Sequence, residues 1–192
     1  MPDSLAPAAV LPQLAGRFGQ PYIYAERCPS TQRLLPGTAP EGAVAVAEEQ
    51  TQGRGRLGRR WLAPPRTSVL CSVLLRPPLP TARWPELSLV AGAACAEAIA
   101  DVAGLAPVIK EPNDVLLDGR KVAGILAEAS QGRVVLGIGV NVNIAGSEFA
   151  DELRGSATSL LVEIGRRVDR VTVLTTLLER LERHYDAWVG RA

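Results

Sequence analysis

Net charge is what this sequence lacks first. Its 21 lysines and arginines face 20 aspartates and glutamates, leaving +1. That excludes a whole-chain attraction to nucleic acid or to an anionic membrane, so any anion must be met by a local cluster. Aromatic residues are scarce too, with three Trp, three Tyr and two Phe. An RNA-binding surface built on base stacking has little to work with. Cysteine is limited to Cys28, Cys71 and Cys95, an odd number without C-x-x-C spacing. This argues against a disulfide scaffold or a zinc site and fits a reducing cytoplasm. The opening MPDSLAPAAVLPQL lacks the charged region of a secretory signal. The longest apolar window, LSLVAGAACAEAIADVAG, is interrupted by Glu97 and Asp101 and is too short to span a bilayer. No G-x-x-x-x-G-K-[ST] P-loop is present.

What remains is a globular composition, 47% apolar over 192 residues, enough for one domain with a sizeable core. Residues 1–21 are rich in Ala and Pro and read as a short, partly ordered lead. Strands are expected at 22–26, 43–50, 66–77, 107–110 and 133–143. A hairpin is expected over 115–129, where Asp118-Gly119 suits a type I′ turn. A short helix is expected over 29–35 with Ser30 or Thr31 as cap. Further helices are expected over 84–104, 156–165 and 171–189. The last carries the stripe Val171, Leu174, Leu178, Leu181, Tyr185, Trp188. No linker or repeat divides the chain. The reading is one α+β domain, a mixed β-sheet covered by helices on one face.

The segment GRGRLGRRW (53–61) matches G-x-G-x-x-G but is not a dinucleotide loop. Such a loop opens directly into a helix whose N-terminus holds the pyrophosphate. Here Pro64-Pro65 follows and forbids one. Gly53, Gly55 and Gly58 give the segment freedom, and Arg54, Arg56, Arg59 and Arg60 supply forked donors for phosphate or carboxylate. A solvated basic turn is the bland alternative. In VLGIGVNVN, Val134, Leu136, Ile138, Val140 and Val142 share one face of a strand. Gly137, Gly139, Asn141 and Asn143 share the other. A face without side-chain bulk that ends in amides makes room for a ligand, or for a neighbouring backbone.

Three segments in order, EEQTQGRGRLGRRW (48–61), KEPNDVLLDGRKVAGILAE (110–128) and GIGVNVN (137–143), closely resemble the catalytic domain of biotin–protein ligases, also called biotin–[acetyl-CoA carboxylase] ligases. STQRLL (30–35) is similar to that family's S-T-N-x-x-L motif, and ATSL (157–160) to a later element. The resemblance spans about residues 22–189. It implies a class II synthetase-like, biotin–lipoate ligase fold. It also implies a two-step reaction: biotin and MgATP give biotinoyl-5′-AMP, and a lysine of the biotin carboxyl carrier protein then takes the biotin. No tightly bound prosthetic group and no covalent enzyme intermediate are implied. Two anions must meet in such a site, which answers why a glycine-rich loop needs arginines.

By the same resemblance, Ser30, Thr31, Gln50 and the backbone at Gly53 contact the biotin ring. Arg54 and Arg56 handle the carboxylate and phosphates, Arg59 completes the loop, and Trp61 packs over biotin or adenine. Lys121 is the leading catalytic candidate, able to bridge carboxylate and α-phosphate. Asn113 and Asp114 organise ATP and Mg²⁺, with Asp114 a metal ligand. Gly124 lets the ligand approach the sheet, Asn141 contacts the adenylate, and loop 144–155 closes on the adenylate side. By location alone, Lys121 is also an ordinary hairpin lysine. Trp84 and Trp188 read as core anchors and His184 as solvent-facing. Glu128 reads as either a metal ligand or an ion-pair member. Two positions depart from the family pattern. Glu111 stands for Trp in K-W-P-N-D and is tolerable where strand alternation turns it away from Lys110. Gln32 stands for the usual Asn.

The expected organisation is a catalytic domain over 22–192 of the non-repressor type, with no winged helix, no C-terminal β-barrel and no DNA or membrane partner. The protein is expected in the cytoplasm as a monomer or homodimer. Two other functions stay open: a lipoate or octanoate ligase or transferase of the same fold, and a catalytically weakened biotin or adenylate binder. The arginine-loop reading makes a first prediction. Amides of residues 51–61 are expected to exchange more slowly with biotin and MgATP than without, and hydrogen exchange by mass spectrometry measures it. Unchanged exchange contradicts a closing loop.

Overall fold

The computed structural model describes residues 3–190. Seven strands form one mixed sheet: β1 (Tyr22–Cys28), β2 (Val44–Gln50), β3 (Ser68–Leu75), β4 (Val108–Lys110), β5 (Asp114–Leu117), β6 (Arg120–Ser130) and β7 (Arg133–Asn141). Their spatial order is β1-β2-β3-β7-β6-β5-β4. β1 and β2 are parallel, and every other neighbouring pair is antiparallel. Four helices accompany the sheet: α1 (Pro7–Val10), α2 (Leu87–Ala103), α3 (Leu160–Ile164) and α4 (Arg170–Val189).

Strand alternation divides the molecule into two sides. Val69, Cys71, Val73 and Leu75 of β3, with Leu136, Ile138 and Val140 of β7, point into one core with Ala91, Cys95 and Ile99 of α2 and Leu174, Leu178 and Leu181 of α4. Burial pushes the Cys71 and Cys95 thiols up to about 12, which keeps them protonated and inert. The opposite face carries a small cluster around Leu35, Ala45 and Leu74, and beyond it the glycines of β7.

The turn between β5 and β6 is as expected. Asp118 and Gly119 have φ of 49° and 73°, a type I′ pair whose twist matches the strands. Gln131 and Gly132 repeat this geometry between β6 and β7. α4 starts at Asp169, whose carboxylate accepts from the Thr172 amide.

Three expectations change. The helix expected over 156–165 is confined to α3. Ser159 is its N-cap, accepting from the Val162 amide. Residues 156–158 instead run alongside β6, where backbone bonds to Lys121 compete better than a helical turn of Ser-Ala-Thr. The turn Thr31–Arg33 has no side-chain cap at Ser30. Thr31 bonds Gln50 and Ser72 instead. The segment read as a lead is part of the domain packing: Leu5, Val10 and Phe18 are fully buried in the main core.

A buried polar network fastens that segment. Arg170, whose side chain is 0% exposed, pairs with Glu48, 1% exposed, at 2.7 Å and with Asp3 at 3.0 Å. The same guanidinium donates to the Ser68 and Asp3 carbonyls. Glu48 also accepts from the Leu5 amide at 2.8 Å. Removing one partner strands a charge away from water. Arg170→Ala is expected to lower unfolding free energy by about 3–5 kcal/mol. Arg27→Ala, which breaks an exposed pair with Glu49, is expected to cost under about 1 kcal/mol. Urea denaturation measures both, and equal costs would contradict this network.

Candidate active site

A cavity of about 490 Å³ opens on the sheet face away from the helices, a volume suited to a small-molecule ligand. Every site residue expected from the sequence lines it except Gly53: Ser30, Thr31, Gln50, Arg54, Arg56, Arg59, Trp61, Asn113, Asp114, Lys121, Gly124 and Asn141. Gly53 backs the wall instead, where a Cβ would lie 2.6 Å from the Trp61 carbonyl oxygen.

One group of lining residues is polar and neutral. Ser30 and Thr31 are buried where β1 leads into the Thr31–Arg33 turn. Gln50, at the end of β2, accepts from the Thr31 amide at 2.8 Å and from its hydroxyl at 3.1 Å. The Thr31 hydroxyl also meets Ser72 Oγ at 2.7 Å. Sequence reading missed Ser72. Its signal is that it faces Gly137 in the β3–β7 register.

A second group of lining residues is cationic: Arg54, Arg56, Arg59, Arg60, Lys110 and Lys121 line the same cavity, against a single carboxylate among the described residues, Asp114. The fold holds Lys121 from several sides. Its N–H donates to the Ser156 carbonyl and its own carbonyl accepts from the Thr158 amide, both at 2.9 Å. Its ammonium lies 2.6 Å from Asp114 Oδ1 and 5.5 Å from the Trp61 ring centroid. Arg56 donates to Asn113 Oδ1 at 3.4 Å, while Asn113 Nδ2 is anchored on the Ile125 carbonyl. The loop folds back as a small hairpin: Arg54 pairs with Arg60, Gly55 N–H donates to the Arg59 carbonyl, and Trp61 N–H to that of Gly53.

The bare strip of β6 and β7 is covered by the chain itself. Trp61 lies on it so closely that a Cβ at Gly139 would sit 2.6 Å from its ring, and one at Gly124 would sit 2.8 Å away. Gln32 lies over Gly137 in the same way, at 3.3 Å. The glycines therefore seat an indole and an amide, and the indole in turn walls the cavity. Among the described residues, Trp61 Nε1 and Asn141 Oδ1 are buried without a hydrogen-bond partner, one donor and one acceptor in residues that line the cavity. Asn141 Nδ2 is occupied by the Thr158 carbonyl at 3.0 Å.

Several residues fall outside. Glu111 is exposed and absent from the cavity wall, whereas Lys110 is on it; Glu111 lies in the turn after β4, so the turn and not strand alternation sets its direction. Glu128 forms an ion pair with Arg54. His184 bonds Glu97 at 2.8 Å on the helical side of the sheet. Trp84 and Trp188 pack against the main core, each with its indole N–H satisfied. Of loop 144–155, Leu153 and Gly155 reach the cavity and Gly146 does not. Among the described residues no helix is long and apolar enough to cross a membrane.

Comparison with known proteins agrees with this geometry. The model of the biotin/lipoate A/B protein ligase family matches residues 24–144. The bifunctional ligase/repressor BirA of Bacillus subtilis is 41% identical over 177 residues, covering 88% of this chain and 54% of the relative. A biotin–[acetyl-CoA-carboxylase] ligase of Mycobacterium tuberculosis is 41% identical over 160 residues, 81% of this chain and 59% of the relative. The chain thus spans somewhat over half the length of these relatives. Among solved structures, the biotin protein ligase from Aquifex aeolicus in complex with biotin and ATP superposes with a TM-score of 0.79 at 33% identity, covering 88% of this chain and 72% of that one. The matched segment holds the neutral polar lining of the cavity, the arginine loop, Lys121 and the glycine strip, and the chain belongs to the biotin/lipoate A/B protein ligase family.

Proposed function

We propose that this chain is an ATP-dependent biotin–protein ligase. It forms biotinoyl-5′-AMP from biotin and MgATP, then transfers biotin to a lysine of the biotin carboxyl carrier protein of acetyl-CoA carboxylase. The observation that carries this reading is one cavity lined both by neutral hydrogen-bonding residues, Ser30, Thr31 and Gln50, and by six cations with one carboxylate. Biotin presents both kinds of group, a polar ureido ring and a carboxylate. Ser30, Thr31 and Gln50 suit the ring, with Gly53 behind them.

In the first step a carboxylate oxygen attacks the α-phosphorus, a mixed anhydride forms and pyrophosphate leaves. In the second, a carrier lysine attacks the activated carbonyl and AMP leaves. Both require anions to be held together out of water, where their repulsion is strongest. Lys121 has three donors, and its backbone is pinned on both sides. Ligand oxygens displacing Asp114 from its ammonium would be bridged by it. Arg54, Arg56 and Arg59 line the same cavity, and positioning plus charge stabilisation is the catalysis this set supplies. Trp61 Nε1 and Asn141 Oδ1 are unsatisfied groups that the adenylate would complete.

Among the described residues no three His, Cys, Asp or Glu side chains gather as a metal site. Magnesium is taken to enter with the nucleotide as part of the substrate. Asp114, beside Asn113, is the carboxylate in reach of it. The catalytic domain includes the N-terminal segment from Asp3, which shares its core. The buried thiols support a reducing, cytoplasmic setting. The carrier is the expected protein partner, with the ligase a monomer or homodimer.

The test is the mass of an apo carrier domain after incubation with this chain and MgATP, with biotin, lipoate and octanoate offered together. A biotin adduct on one lysine is expected, and a lipoyl or octanoyl adduct, or none, would overturn the reading. A second expectation concerns the glycine strip. Gly139→Ala places a methyl where the Trp61 ring lies. It is expected to raise KM for biotin or ATP by about tenfold or more, a loss of about 1.4 kcal/mol in transition-state binding. Unchanged KM values would contradict Trp61 as a wall of the ligand cavity.

A further inference from the structure

Four arginines crowd the loop, yet among the described residues only Arg54 forms an ion pair, with Glu128 of β6. The bond is made by Nη2, which also donates to Gln32 Oε1 at 3.1 Å. Gln32 does not float. Its amide Nε2 donates to the Leu126 carbonyl of β6 at 3.1 Å and to the Val135 carbonyl of β7 at 3.4 Å. Glu128 and Val135 face each other in the sheet register. The guanidinium is therefore gripped by two groups anchored on one strand pair. Nη1 and Nε are left without a hydrogen bond among the described residues.

Arg54 lines both the ligand cavity and an open groove on the far side of the loop. Gln32 borders only the cavity, and Glu128 only the groove. One side-chain nitrogen is thus held from both sides of the loop, while the rest of the fork stays available to an anion. The loop's other bonds are mostly internal, from Gly55, Arg59 and Trp61 to carbonyls of the same hairpin.

We infer that Glu128 and Gln32 are positioning residues for Arg54, and that the Arg54–Glu128 pair tethers the arginine loop to the sheet in its closed state. The inference rests on the ligase reading for its chemical purpose. Both side chains of the pair are about 40% exposed, so the tether shifts the closed–open equilibrium by about fivefold at most. That suits a latch that must open for substrate entry and product release. Gln32 belongs to the same device. The family's usual Asn is one methylene shorter, too short to bond both strand carbonyls and Arg54 from this turn.

The experiment is hydrogen exchange on the ligand-free chain, comparing wild type with Glu128→Ala, Glu128→Gln and Gln32→Asn. The Gly55, Arg59 and Trp61 amides are expected to exchange about fivefold faster in Glu128→Ala. Glu128→Gln, which keeps an acceptor oxygen, should fall between it and wild type, and Gln32→Asn should loosen the same amides. Melting temperature should stay within a few degrees, whereas a merely structural Glu128 would lower it without singling out the loop. The second readout is the dissociation rate of bound biotinoyl-5′-AMP, expected to rise about fivefold in Glu128→Ala. Loop exchange at the wild-type rate in that variant overturns the tether. A loosened loop with an unchanged adenylate lifetime overturns its positioning role. The exchange readout needs no substrate, so it decides the tether separately. Failure of the wild-type chain to form adenylate would overturn the ligase reading instead.

Discussion

Like charges must be held together before their ligand arrives, and this fold is arranged around that constraint. A chain with net charge +1 gathers six cations on the wall of one cavity. Their mutual repulsion opposes folding, yet neutralising each with a carboxylate would abolish the site. The structure uses weaker partners. Arg59 bonds the Arg56 carbonyl, Arg60 the Thr51 carbonyl and Arg56 an asparagine. Lys121 lies near an indole face. Two carboxylates enter, Asp114 beside Lys121 and Glu128 beside Arg54, and each is partly exposed. The field that remains is local and positive, the kind that draws two anions into one place.

Rigid elements make this tolerable. Lys121 projects from the start of β6, directly after a tight turn, and a second strand-like segment at 156–158 is bonded to its backbone. Asn141 of β7 holds the Thr158 carbonyl, so the segment beside Lys121 is tied to the glycine strip. Movement is expected instead of the loops that border the cavity, the arginine loop above all. Behind the sheet, the Asp3–Arg170–Glu48 network fixes the end of β2 from which that loop departs. The stiff apolar core thus serves as a frame, and flexibility is spent where substrate must enter.

Much of this was legible in the sequence because it is local. Period-two patterning placed the strands, and Asp118-Gly119 placed the turn that presents Lys121. The three ordered motifs together with STQRLL placed the twelve expected residues on one cavity. What escaped was long-range. Ala and Pro hid a terminal segment in which Leu5, Val10 and Phe18 are the large apolar side chains buried among the described residues. Glu48 reads as a polar strand end, although it shares a face with Val44 and Val46. Its partner Arg170 is 122 residues away. The seat of Trp61 on Gly124 and Gly139 joins three motifs that each looked like part of a ligand site alone. Ser-Ala-Thr-Ser at 156–159 suited a helix start, but only its last residue caps one, because the others had a strand to pair with.

The central claim is that Lys121 holds carboxylate and α-phosphate together. Its most direct test is single-turnover formation of biotinoyl-5′-AMP by Lys121→Ala, with circular dichroism and melting temperature to monitor the fold. The account predicts a fold close to wild type and a rate lower by about 10²–10³-fold, the scale of losing a preorganised charge donor. A correctly folded variant that forms adenylate at the wild-type rate would contradict it.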